Sequence, residues 1–364
     1  MSTLVMHIGL HKTGSTSIQN SLKGYSAARI KYLDLRLPNH SIPIYAAFTD
    51  DPNPEKDGVH ARVGRTAENL SEMRRDTLAR LHAELSKSGF DKFVISGEGI
   101  TRLSRASLEE FKALLLKYVD TVSVFAYVRD PAGFAISDFQ QRIKAGYSGY
   151  DLAKPKYRQR LEKFLQVFGR ENFSAKLFAK DALKDGSVVL DFCNVWGIPF
   201  EARDEVRANE SLSLEAVQLL HLFNRHGPQS KGTPSLFKGR QLFIRALAEH
   251  FTGKFSPPTQ FRGAAFDIED MAWLRRELGI SFDVEAPAET PRPAEFRKYL
   301  ENIDEKTIES YRKLLQESKV ATQPGDGALD LLNRHYEACV ASADSTKDRL
   351  RRFLQRGKAG QIHV

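Results

Sequence analysis

The chain has 364 residues, 41% hydrophobic and 27% charged, so a soluble globular protein is expected, with one large domain and an appendage or two domains. Its net charge of +8 favours anionic partners without choosing among a nucleotide, an acidic glycan, nucleic acid or a membrane surface. No apolar run is long enough to span a bilayer, no leader is expected ahead of the first strand, and no nucleic-acid motif or lysine- and arginine-rich tract stands out.

Thr3, Leu4, Val5, Met6 and Ile8 form a short apolar run that reads as a buried strand. Gly9 and Gly14 bracket a tight loop, and Ser15, Thr16 and Ser17 offer caps for a helix whose apolar positions are Ile18 and Leu22. A strand, a glycine loop and a helix N-terminus together suit an anion, because backbone N–H groups converge there and the helix dipole adds positive charge. Lys12 supplies a full charge. Gly9 and Gly14 have the spacing of a Walker A motif, but Ser15 stands where that motif has its lysine. An ordinary strand–loop–helix connection with a solvated lysine is the other account of this loop.

Tyr32 to Leu35 is a candidate second strand. Residues 38 to 58, rich in Pro, Asp, Asn and Gly, read as a long surface loop. His60, Arg62 and Arg65 follow, as cleft-lining or solvated side chains. Leucines at helical spacing predict a helix over 66–88, with Gly89 as its stop. Phe93, Val94 and Ile95 form a strand that ends at Glu98, between Gly97 and Gly99. A helix over 104–118 follows, with a capping-box pattern at Ser107 and Glu110. Thr121 to Val128 is a strand that runs into Arg129, then Asp130 as an N-cap and Pro131 in the first turn of a helix to about Ala145.

Helices are expected over 157–168 and 187–196, and another opened by Arg207 to Ser213 and running to about His226, with a strand over 173–178. Residues 228–240 and 252–265 read as loops, and helical patterns return at 268–278, 304–318, 326–338 and 344–355. Strands alternating with helices imply a parallel, helix-covered sheet, on which ligands sit at the carboxyl ends of the strands. The Gly9 loop, Glu98 and Arg129 all fall at such ends. Arg129 and Ser137, eight residues apart, are close enough on a helix to share one phosphate; an ion-paired arginine and a buried serine are the alternative.

HKTGSTS at 11–17 resembles the 5′-phosphosulfate loop of sulfotransferases that use 3′-phosphoadenosine 5′-phosphosulfate (PAPS), and YVRDPAGFAIS at 127–137 resembles their 3′-phosphate element. The whole is similar to bacterial carbohydrate sulfotransferases over residues 1 to about 215. The resemblance implies a P-loop-like three-layer α/β/α fold with a central parallel sheet. It also implies a PAPS-binding core over 1–215; the part over 216–364 has little strand signal and is expected to be a mostly helical C-terminal extension packed on that core. It implies PAPS contacts from Lys12, Thr13, Gly14, Ser15, Thr16, Ser17, Arg129 and Ser137, and from Arg207 and Asn209 in RANESLS. In sulfuryl transfer Lys12 would stabilise the bridging oxygen, and Glu98 would take the acceptor's proton, with His11 as the alternative base. Metal is not required, the product nucleotide is 3′,5′-adenosine bisphosphate, and a glycan or glycolipid acceptor is favoured. Nucleic acid is not an expected partner, and neither is a membrane span. Cys193 and Cys339, widely separated, form no disulfide framework or metal cluster and suit a cytoplasmic enzyme. A P-loop small-molecule kinase and a non-catalytic nucleotide-binding protein stay as alternatives.

Overall fold

The computed structural model describes residues 1–10, 12–57, 60–61, 64–206, 211–228, 234–282 and 293–359, with side chains of the last helix described through Ala343. The chain is α/β, built on a six-stranded, mostly parallel sheet. The elements run β1 (Thr3–His7), α1 (Ser15–Leu22), β2 (Ser26–Ala27), β3 (Ile30–Tyr32), α2 (Ser41–Phe48), α3 (Ala67–Leu85), β4 (Lys92–Ser96), α4 (Arg105–Leu115) and β5 (Thr121–Val128). They continue with α5 (Pro131–Lys144), α6 (Tyr157–Phe168), β6 (Phe173–Leu177), α7 (Val188–Trp196), α8 (Leu214–His226), α9 (Pro234–His250) and α10 (Ile268–Leu278). The last helices are α11 (Pro293–Glu301), α12 (Glu305–Glu317) and α13 (Ala328–Ala359).

The strand order is β2-β3-β4-β1-β5-β6, and only the β2–β3 pairing is antiparallel. β1 is central: His7 lies opposite Ser96 of β4 on one side and Phe125 of β5 on the other. Its near-continuous apolar run is what burial on both faces demands. Leu4 and Met6 join one core, with Phe48 of α2, Leu81 of α3, Phe111 of α4, Phe164 of α6 and Trp273 of α10. Val5 joins another, with Ile18 and Leu22 of α1 and Val189 and Phe192 of α7. Helices on both faces of the sheet are compatible with a three-layer α/β/α arrangement. β1 feeds α1 on one face, whereas its neighbours β4 and β5 lead to α4 and α6 on the other. The chain therefore parts at the carboxyl end of β1, where sheets of this kind leave a crevice.

The chain divides into two compact units, Met1–Ala135 with Lys154–Asn209 and Ala265–Ala286, and Ile136–Ala153 with Glu210–Ala264 and Pro287–Val364. Against a boundary at 215, residues 136–153 group with the second unit and 265–286 with the first. The first unit holds the sheet. The second is helical around its own core, which includes Phe223 of α8, Phe243 of α9, Tyr311 of α12 and Tyr336 of α13.

Several local expectations change. The surface loop expected over 38–58 contains α2, whose run SIPIYAAF is buried at all but one position. Pro43 lies in its first turn, where a missing N–H costs nothing. The 228–240 loop gives way to α9, with Pro234 at its start. The two C-terminal patterns are one helix, α13, and α11 was not anticipated. The cap of α4 is Ser104, whose hydroxyl accepts from the Ser107 N–H, rather than a Ser107–Glu110 box. The second strand is Ile30–Tyr32, preceded by the short hairpin strand β2.

Phe48 is 2% exposed and its ring centroid lies 4.5 Å from that of Phe111. Phe48→Ala is expected to lower unfolding free energy by about 3–5 kcal/mol in urea denaturation. A loss below about 1 kcal/mol would mean that α2 is not part of the core.

Candidate functional site

β1 delivers the chain into a turn whose backbone is unusual. Gly9, Lys12 and Gly14 all have positive φ, at 23°, 73° and 74°. For Lys12 this is the left-handed region, which costs a residue with a side chain on the order of 1 kcal/mol or more. Gly9 is required by close approach as well, since a Cβ there would collide with Ser15 Oγ. A Cβ on Gly14 would stand 2.7 Å from Val188 Cγ1 at the start of α7. Gly14 is itself the N-cap of α1, with no side-chain cap. The expected capping by Ser15, Thr16 and Ser17 therefore does not occur, because all three lie inside the first turn. Ser15 and Ser17 are buried and Thr16 is exposed. The Thr13 hydroxyl donates to the Leu10 carbonyl at 2.6 Å and closes the turn from within.

Arg129 leaves the end of β5 and meets this turn. One guanidinium N–H donates to the Lys12 carbonyl at 3.0 Å, and its carbon lies 5.7 Å from the Phe178 ring centroid. Burial lowers its pKa, with Asp130 acting the other way. A guanidinium remains charged under such a shift. Asp130 caps α5 by accepting from the Gly133 N–H at 2.7 Å. Gly133 gives both side chains room, since a Cβ there would lie 2.5 Å from Asp130 Oδ2 and 2.7 Å from Arg129 Nε. The Tyr157 hydroxyl donates to the Arg129 carbonyl at 2.6 Å.

Glu98 follows β4 and opens a short 3-10 turn, Glu98–Arg102. Its Oε2 accepts from Gln19 Nε2 at 3.1 Å, and its Oε1 from Asn39 Nδ2 at 3.2 Å. Gln19 belongs to α1, the helix that starts at the Lys12 turn. Arg129 is thus bonded to the Lys12 turn, and Glu98 is bonded to the helix that this turn begins. His40 ties the turn before α2 to the same edge. Its Nδ1 accepts from the Ser96 N–H at 3.1 Å, so its proton is on Nε2, which faces the Leu33 carbonyl at 3.0 Å.

His7, at the end of β1, is fully buried, with Nδ1 2.8 Å from Ser96 Oγ. Its Nε2 has no partner, and neither has Ser15 Oγ. Both atoms border Gly9, His7 Nε2 lying 3.2 Å from the point where a Cβ would stand. Two orphaned polar atoms beside one glycine turn are unusual in a folded interior and mark the turn as a place where polar groups are held ready.

Sequence reasoning missed Gln19, Asn39, His40 and Ser96. The signal for Gln19 was present: it lies three residues before Leu22, on the buried stripe of α1. Asn39 and His40 had no comparable signal. Ser137 is on α5 and groups with the second unit. His11, Arg207 and Asn209 lie outside the described residues. Among the described residues, no three His, Cys, Asp or Glu side chains gather as a metal set, and no helix is long and apolar enough to cross a membrane. No protein-family model, no curated protein and no solved structure matches the chain.

Burial lowers both His7 and His40 from 6.5 to about 4, against the raising effects of Glu98 on His7 and of the Leu33 carbonyl and Asp34 on His40. Above 6.5 both rings are neutral whether the chain is folded or not. Between 6.5 and about 4 mainly the unfolded chain binds these protons, so stability falls as pH falls through that window. Below it the folded rings charge too and the loss stops growing. From pH 6.5 to 5 the two rings together should remove about 3 kcal/mol. Urea midpoints measured across that range test this, and His40→Gln should flatten the slope. An unchanged slope would mean that the His40 ring is not held neutral.

Proposed function

We propose that the chain is a PAPS-dependent sulfotransferase with a P-loop-like core, moving a sulfuryl group to a hydroxyl of a carbohydrate acceptor. The observation that carries this reading is the bond from the Arg129 guanidinium to the Lys12 carbonyl. It sets the Arg129 guanidinium against the glycine turn that carries Lys12 and leads into a helix N-terminus, a combination suited to a phosphorylated nucleotide. Ser15 Oγ, buried and unpartnered, supplies a polar group in the same turn.

In the proposed reaction the acceptor oxygen forms a bond to sulfur as the bond from sulfur to the bridging oxygen breaks. The electron pair of the broken bond stays on the 5′-phosphate, where Lys12 stabilises the growing charge. The acceptor's proton passes to Glu98. A carboxylate that already accepts one hydrogen bond on each oxygen keeps a further lone pair on each for that proton. The roles of Thr13, Thr16, Ser17, Ser137, Arg207, Asn209 and His11 rest on the motif resemblance alone. A lysine that lies before Gly14 rather than after it argues against a kinase. Cys193 and Cys339 are both free thiols, which fits the reducing cytoplasm that this reading carries with it.

Calorimetric titration with 3′,5′-adenosine bisphosphate in EDTA is the direct test. Wild type should bind without metal, and Arg129→Ala should bind at least about tenfold more weakly, the effect of losing one charge-assisted contact. Glu98→Gln should keep the binding and lose transfer. Preference for ATP with magnesium, or no binding of the bisphosphate, would remove the sulfotransferase reading.

A further inference from the structure

We propose that Gln19 and Asn39 form an amide clamp that fixes the direction in which Glu98 presents its carboxylate, which makes them positioning residues for uptake of the acceptor's proton. The inference rests on the sulfotransferase reading of this site.

The orientation of each amide follows from its other contacts. Gln19, 1% exposed, turns its nitrogen toward three acceptors: Glu98 Oε2 at 3.1 Å, Ser96 Oγ at 3.3 Å and the Ser96 carbonyl at 3.5 Å. Only an NH2 group suits a carboxylate and a carbonyl together. Asn39 uses its oxygen to accept from the Ser41 N–H at 2.8 Å, so its NH2 is the group that faces Glu98 Oε1 at 3.2 Å. One donor on each oxygen sets the plane of the carboxylate. Because both donors are neutral, they orient the group without cancelling its charge.

The clamp is itself held from behind. Gln19 extends from α1, whose start is the Lys12 turn. Asn39 precedes His40, which bridges the Leu33 carbonyl and the Ser96 N–H. The Ser41 hydroxyl accepts from the Gly99 N–H at 2.9 Å. Gly97 and Gly99, on either side of Glu98, permit this closeness: a Cβ at Gly97 would lie 2.6 Å from the Ser41 nitrogen, and one at Gly99 2.7 Å from Ser41 Cβ. A carboxylate on a turn would otherwise sample several rotamers, and misplacing a reacting group by an ångström is costly to rate. A structural clamp without a catalytic role would affect folding and nucleotide binding. A positioning clamp acts on turnover.

The test uses the full chain, with 35S-labelled PAPS as substrate and water standing in for the acceptor. Gln19→Leu and Asn39→Ala should each lower kcat for sulfate release about tenfold or more while KM for PAPS stays within about twofold. Unchanged kcat, or kcat and KM disturbed together, would overturn the proposal. If Gln19→Leu does not fold, Gln19→Met, which is close in size and neutral but has no donors, takes its place. A second readout needs no turnover: the carboxylate stretch of Glu98 in infrared difference spectra of wild type minus Glu98→Gln. Loss of either amide should shift that band, and an unmoved band would overturn the clamp. Should wild type release no sulfate while the band shifts in both variants, the sulfotransferase reading would fail and the clamp would stand.

Discussion

The hydrogen bond from Arg129 to the Lys12 carbonyl is the constraint on which the site depends. Lys12 sits in a left-handed conformation that a lysine does not adopt for its own sake. Such a conformation persists only where its surroundings over-determine it. Here the surroundings are a guanidinium above the peptide, a Thr13 hydroxyl closing the turn and a Gly14 pressed against Val188. Arg129 in turn occupies its place because Gly133 leaves room for it and Asp130 is engaged in capping α5. The end of β5 is therefore tied to the turn after β1, and each leads into the start of a helix.

On the other side of β1 the same logic works through neutral groups. Parallel pairing sets His7 opposite Ser96, so the ends of β1 and β4 are level and their loops emerge together. Ser96 then serves several partners: its N–H goes to His40, its carbonyl accepts from the His40 backbone N–H at 2.9 Å, and its hydroxyl meets His7 and Gln19. This network brings Asn39 and Gln19 to Glu98 from two directions. It also requires both histidines to stay neutral, because a charged ring in so dry a place would lack a counterion close enough to offset its desolvation.

The central strands and their helices were legible because their residues obey one rule at a time. β1 and β5 are continuous apolar runs, and α3 and α6 carry apolar residues at helical spacing. α2 escaped because its own sequence is apolar all round while its flanks are dense in Pro, Asp and Asn, so the flanks dominated the reading. α9 escaped for a related reason: a proline that starts a helix has the same composition signal as one that interrupts a loop. In the site, Lys12, Glu98 and Arg129 stood out because they occupy strand ends, a position that topology alone makes significant. The amides at Gln19 and Asn39 did not, since an amide in a helix or a turn carries no charge and no motif. Their importance arises only from tertiary contact.

Electrostatics and backbone strain show what this arrangement costs in stability. Burial disfavours the charge on Arg129, the left-handed turn at Lys12 stores strain, and His7 Nε2 and Ser15 Oγ forgo hydrogen bonds worth about 1–3 kcal/mol each. A site selected for stability alone would relieve these costs, for instance with an apolar residue at position 15 or 7. They are concentrated within one turn at the carboxyl end of β1, and the proposed nucleotide would offset them with its own charge. Glu98, by contrast, is held by the neutral amides of Gln19 and Asn39. On the proposed reading, Lys12 and Arg129 at the turn and an oriented Glu98 would meet the two opposite demands of group transfer: a leaving oxygen that gains negative charge, and an acceptor oxygen that must lose a proton.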